Sequence, residues 1–311
     1  MATWERFALK QRQLTGHLMA IFCVIVWGST FVVSKSLLAH LQPVQLMLIR
    51  FIIAYAAMWL VYPKWHFRLK EEWRFLVMGF LANTLYAWAE NTALTITFAT
   101  NVSILVSTTP IMTAILMALF HRSERLNRLQ LIGFAIAFAG MVLVVFNGTV
   151  ALQLKPTGDL LSLLAAATWA VYGLLLRRWS KEYNSALITR KLMFYGVLTV
   201  LPMVLSGNTS FDFSSILTLK NGLQLAYLGI VGSAICFLFW NIAIRQIGVL
   251  TTTLYIYSIP LVTLVISAIF LHEKITFMGV LGIFLVIAGM LLGTIQLRGK
   301  KPVETSTSNS I

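Results

Sequence analysis

The sequence predicts an all-α integral membrane protein of ten transmembrane helices, built as two inverted five-helix repeats. Three observations predict it. First, 59% of the 311 residues are hydrophobic and only 11% are charged, against about 45–50% and 25% in soluble domains. Second, apolar runs of about 20 residues recur, each long enough to cross a bilayer. Third, the chain repeats itself. Gly16, Leu18, Trp27 and Lys35 match Gly158, Leu160, Trp169 and Arg177 at an offset of 142. Gly79, Asn91, Ala93 and Pro110 match Gly229, Asn241, Ala243 and Pro260 at an offset of 150. Glu124, Gly133 and Gly140 match Glu273, Gly282 and Gly289 at 149. Five crossings per copy turn the second copy upside down, and inverted repeats around a central site are the construction of secondary transporters.

The apolar runs place spans near 16–38, 44–62, 74–95, 98–120 and 128–146 in the first repeat (16–146). They place the others near 158–178, 186–205, 222–244, 248–271 and 277–296 in the second (158–296). A short segment, 1–15, precedes them, and a linker, 147–157, joins the copies. The segment 297–311 is polar and reads as a disordered tail. The run from Leu18 to Leu38 follows positive charges, as in a signal peptide, but is too long and lacks a small-residue cleavage site, so it reads as a retained span. Asn127 and Thr276 precede spans five and ten as good N-caps. Trp59, Trp65, Trp73 and Trp179 gather near span ends as an aromatic belt. Gly133, Gly140, Gly279, Gly282, Gly289 and Gly293 in spans five and ten read as close-packing positions, and also offer surfaces for a homodimer.

The net charge of +14 would suit a nucleic-acid binder, but its placement excludes that reading. With ten spans assigned, 19 of the 24 Lys and Arg fall on one side, among them Arg68, Lys70, Arg74, Arg177, Arg178, Arg190 and Lys191. Four (Lys35, Lys155, Lys220, Lys274) fall on the other, and Arg50 lies inside a span. The positive-inside rule then puts both termini in the cytoplasm of a multi-pass cell-membrane protein. Cys23 and Cys236 lie within spans and read as buried free thiols.

Two full charges sit in the hydrocarbon region, Arg50 in span two and Glu90 in span three. Such residues are costly there and face the protein interior. Their depths from the outer span ends agree, so adjacent antiparallel spans would let them pair, either as a structural ion pair or as a site for substrate or protons. Glu90 has Trp240 opposite it in the second copy, whereas Asn91 keeps Asn241. A carboxylate that breaks the repeat favours a functional role, with Glu90 the proton-coupling candidate. Asn83, Tyr86 and Glu90 form one polar stripe beside Asn91, opposed by Ser233, Cys236, Trp240 and Asn241. Trp27 and Trp169, with Tyr172 one turn on, are either core aromatics or a cavity wall. Pro110 and Pro260 fall mid-span with Thr109 and Tyr257 nearby; they kink their helices, either to line a cavity or as plain bends. The expected substrate site is therefore Trp27, Arg50, Tyr86, Glu90, Asn91, Trp169, Tyr172, Trp240, Asn241 and Tyr257.

Enzyme chemistry finds no foothold. No His-Glu-x-x-His motif is present, and His17, His40, His66, His121 and His272 lie near span ends. Asp159 and Asp212 lie at edges, and Gly293 to Lys301 lacks the phosphate-loop spacing. No metal, cofactor or ATP is called for; an ion or substrate gradient would supply any driving force. The expected partners are a small-molecule substrate, the lipid bilayer and protons. The rival reading is a non-transporting membrane scaffold or partner protein.

Several stretches together resemble the EamA-type family of the drug/metabolite transporter superfamily. They are Trp27-Gly-Ser-Thr-Phe-Val-Val-Ser-Lys35, Arg50-Phe51, Glu90-Asn-Thr-Ala-Leu94, Ala99-Thr-Asn-Val-Ser103, Thr109-Pro110 and Glu124-Arg-Leu126. The second copy repeats the theme with Trp240-Asn-Ile-Ala243, Ile259-Pro260 and Glu273-Lys-Ile275. The family's Gly-Glu pair stands here as Ser123-Glu124 and His272-Glu273. The resemblance, from about Leu18 to Gln296, implies ten spans, cytoplasmic termini, a central cavity, and export or exchange of small metabolites such as amino acids. It transfers no catalytic residue.

Overall fold

A computed structural model describes residues 2–97, 99–120, 127–146, 155–206, 218–262, 265 and 276–294. Within them every regular element is helical, and no strand occurs. The tail beyond 296, most of the linker, and His121, Glu124, Asp212, His272 and Glu273 lie outside the described residues.

The helices follow the apolar runs. α1 (Ala2–Leu37) begins well before its apolar part, so residues 2–15 continue into the span. α2 (Pro43–Val61) opens on a proline at its first turn, where a missing N–H costs nothing. α3 (Leu69–Gly79) runs through a π-helical segment, Phe80–Leu85, into α4 (Tyr86–Ile96). α5 (Ala99–Val106) and α6 (Thr109–Phe120) are separated at Ser107 and Thr108, just before Pro110. α7 is Arg128–Phe146. In the second half, α8 (Pro156–Trp179) and α9 (Ser185–Ser206) precede α10 (Leu219–Ala226), a second π segment (Tyr227–Ile235) and α11 (Cys236–Ile247). Gly248, at φ +83°, ends α11 in the region that glycine tolerates. α12 (Val249–Leu254) passes into a 3₁₀ turn (Tyr255–Ser258) before Pro260, and α13 is Phe277–Thr294.

Among the described residues, six helical stretches are long and apolar enough to cross a membrane: 11–37, 43–61, 102–120, 156–179, 185–206 and 219–247. Shorter apolar helices cover 128–144, 249–262 and 277–293. Asn127 and Thr276 cap their helices as expected. Asn127 Oδ1 accepts from Gln130 N at 2.8 Å, and Thr276 Oγ1 from Gly279 N at 3.3 Å.

The two halves pack reciprocally. α1 lies on α11, and its counterpart α8 lies on α4. α2 lies on the second π segment, and α9 on the first. α2 also meets α9, and α7 meets α13. The last pair is in backbone-to-backbone contact. A Cβ on Gly282 would stand 2.6 Å from the Gly140 carbonyl, and one on Gly289 2.6 Å from the Gly133 carbonyl. Gly133, Gly140, Gly282 and Gly289 are thus consumed by packing within one chain, while Gly293 faces Leu254. The main core gathers Phe51, Met58, Phe75, Trp169, Tyr172 and Trp240 around these contacts.

Candidate functional site

The cavity arises where the regular helices give way. The π segments, the break before Pro110 and the 3₁₀ turn before Pro260 all fall in the middle stretches of the bundle, and widened or interrupted turns are typical of functional sites. Between them lies a cavity of about 660 Å³, its open mouth included.

Arg50 and Glu90 both line it. Arg50 lies seven residues into α2, and Glu90 six before the end of α4, about 10 Å along each helix from the same end of the bundle. The two charges interact electrostatically across the cavity. Arg50 Nε donates to Ser233 Oγ at 2.5 Å. The Tyr86 phenol faces the Glu90 carboxylate one helical turn away. The rest of the wall is largely aromatic and apolar, with Thr30, Asn83, Asn91 and Thr109 as further polar groups. Trp27 stands edge-on to Trp169 at 5.4 Å, Tyr86 lies 5.0 Å from Trp169, and Phe237 is 5.3 Å from it. The Trp27 indole donates to the Gly232 carbonyl at 3.0 Å, which supplies the partner that a mid-membrane tryptophan needs.

Of the residues expected at the site, Trp27, Arg50, Tyr86, Glu90, Asn91 and Trp169 line the cavity. Tyr172, Trp240, Asn241 and Tyr257 lie behind or away from it. The Tyr172 hydroxyl bonds the Asn241 side chain, whose Nδ2 donates to Thr189 Oγ1 at 2.9 Å. Trp240 is buried against Trp27, 4.8 Å between ring centres. Tyr257 is buried between Phe134 and Phe138 of α7. The lining also holds Thr30, Phe31, Asn83 and Thr109, none of them among the expected site residues. Asn83 belongs to the polar stripe and Thr109 adjoins Pro110, so both had a sequence signal. Thr30 and Phe31 lie one turn beyond Trp27 on the same face.

A multi-helix chain with opposed charges in a cavity between its two halves has the build of a membrane transporter. The chain belongs to the EamA-like transporter family, whose model matches residues 14–146 and again 156–295. It is 28% identical to an uncharacterized transporter of Archaeoglobus fulgidus, over 89% of this chain and 96% of that one. It is 24% identical to a probable amino-acid metabolite efflux pump of Escherichia coli (93% and 98% covered). It is 27% identical to a probable terminal-alkyne amino-acid exporter of Streptantibioticus cattleyicolor over 66% and 67%. A crystal structure shares the fold at a TM-score of 0.73, with 19% identity, over 91% of this chain and 98% of that one.

Proposed function

We propose that this protein is a secondary transporter that exports or exchanges small organic metabolites, with amino acids or related carboxylates the leading class. The observation that carries the reading is the placement of Arg50 and Glu90 on one cavity whose remaining wall is largely aromatic and apolar. A guanidinium can bind a carboxylate bidentately. The efflux pump and the exporter among the relatives carry amino acids in their names. Alternating access would occur between two inverted five-helix repeats, ten spans in all, with both termini cytoplasmic. The reciprocal packing of the two halves and the one-sided Lys and Arg support that topology. Each chain would be a complete transport unit, because the glycine faces of α7 and α13 are covered within it; any homodimer would join through other surfaces.

In the proton-coupled version, Glu90 takes a proton from one side and releases it to the other. In the exchange version, Glu90 only shapes the cavity. The test is release from proteoliposomes loaded with a metabolite extract, read by mass spectrometry against protein-free vesicles, with and without a pH gradient. Selective release of a few related compounds supports transport; no release from folded, inserted protein overturns it. Glu90→Gln should abolish gradient-driven flux while keeping exchange; unchanged gradient-driven flux ends the proton role.

A further inference from the structure

Ser233 is fully buried behind Arg50, inside the second π segment. Its hydroxyl donates to the Leu228 carbonyl, five residues back, at 2.9 Å. Its proton thus committed, the oxygen accepts from Arg50 Nε at 2.5 Å. The wider π turn makes this possible, since it aligns residues five apart rather than four. α2 sits directly on the segment. A Cβ on Gly229 would fall 3.1 Å from the Arg50 carbonyl, and one on Gly232 would fall 3.0 Å from Thr30 Cγ2. The Gly232 carbonyl also holds Trp27. One π turn therefore fixes two cavity residues from two different helices. The matching residue of the first half, Asn83, donates instead to the main-chain carbonyl of Leu192 at 2.7 Å. The same device ends on a backbone group in one half and on the cavity's guanidinium in the other.

We propose that Ser233 is a positioning residue for substrate recognition: by holding Arg50 through Nε, it presents the two terminal amino groups to the ligand's carboxylate. The inference rests on the reading of Arg50 as a carboxylate anchor. A guanidinium offers a carboxylate either its Nε edge or the pair of terminal nitrogens. The bond to Ser233 closes the first choice. Loss of the hydroxyl leaves the charge in place but lets the guanidinium turn, so affinity for carboxylates falls while the rest of the transport cycle continues.

The test uses the full chain in lipid nanodiscs with ¹⁵N at arginine Nε, the Arg50 signal being identified by its loss in Arg50→Lys. Ser233→Ala should shift that signal and speed its hydrogen exchange about ten-fold, the loss expected for one hydrogen bond to a charged group. Ser233→Thr, which keeps the hydroxyl, should restore both. In proteoliposomes loaded with a labelled mixture of the common L-amino acids, Ser233→Ala should raise the half-saturating concentration about ten-fold with little change in maximal rate. An unmoved Arg50 signal overturns the proposal, as does a fall in maximal rate at constant half-saturation. A wild type that exports none of the mixture overturns the carboxylate role of Arg50, while the spectrum still decides whether Ser233 holds the guanidinium.

Discussion

Lys191 Nζ donates to both carboxylate oxygens of Glu72, at 2.8 and 2.9 Å, and joins α9 of the second half to α3 of the first. Tyr195 adds a third donor at 2.6 Å. Both charged side chains are nearly inaccessible to solvent. Removing one partner of a buried pair strands the other, a loss of about 3 kcal/mol. Glu72→Gln should therefore lower the unfolding temperature in detergent. Glu72 also sets a pH dependence. Burial pushes its carboxyl up, but the bonds from Lys191 and Tyr195 outweigh that and hold it below the usual carboxylate range. Its contribution is present above the unfolded carboxylate pKa of about 4.3 and is lost as pH falls through the lower folded value. The wild type should lose stability along that acid limb more steeply than Glu72→Gln. Equal slopes would remove Glu72 from the account.

Alanine should have opposite outcomes at two glycines, one inside the contact between α7 and α13 and one away from it. At Gly282 a Cβ would meet the Gly140 carbonyl at 2.6 Å and Val144 N at 2.7 Å, both backbone atoms that cannot step aside. Gly282→Ala should destabilise by about 1–3 kcal/mol through overpacking. Gly222, inside α10, has nothing within 4 Å. There Gly222→Ala should be neutral or stabilise by about 0.5–1 kcal/mol, since alanine favours the helix. Thermal unfolding of the two variants side by side decides the matter; equal effects would mean that the glycine contact contributes nothing specific.

How much of this was legible in the sequence depends on whether the signal was local. Apolar runs locate the helices because the bilayer imposes their length. The glycines of spans five and ten announced close packing because small residues serve little else in a membrane helix. Arg50 and Glu90 stood out because a charge in an apolar run is costly and must face the protein interior, whether as a structural pair or as a site. Glu72 did not stand out, because a charge near a span end is ordinarily solvated, and its partner lies 119 residues away. The π segments had no signature either. Their sequences, FLANTL and YLGIVGSAI, carry no local marker of a wider turn, and the segments lie against α9 and α2, elements distant in sequence. Tyr172 and Asn241 were expected at the substrate site from their place among the polar and aromatic positions of the spans, but the structure pairs them with each other behind the cavity, a contact between residues 69 apart that no local pattern announces.

Cys23 and Cys236 test the seam between α1 and α11. Both thiols are fully buried, and Cys23 Sγ donates to the Cys236 carbonyl at 3.2 Å. A buried thiol is inert to reagents that must reach it from water. Neither should react with a water-soluble maleimide in the native protein, and both should react after denaturation in SDS. Rapid labelling of either in the folded state would show that α1 and α11 separate.

The Tyr172–Asn241–Thr189 chain separates a structural from a binding role. It links α8, α11 and α9 behind the cavity, with all three side chains fully buried. Tyr172→Phe removes the hydroxyl and leaves Asn241 Oδ1 without that partner, at a cost of about 1–3 kcal/mol. The phenyl ring still packs on Trp169, now 5.3 Å from the Tyr172 ring, so the wall of the cavity keeps its shape. The unfolding temperature should fall, while the half-saturating concentration for any exported compound should stay within about two-fold, less than the loss of one net hydrogen bond would produce. A variant of normal stability with a much weakened affinity would reverse the assignment and return Tyr172 to the substrate site.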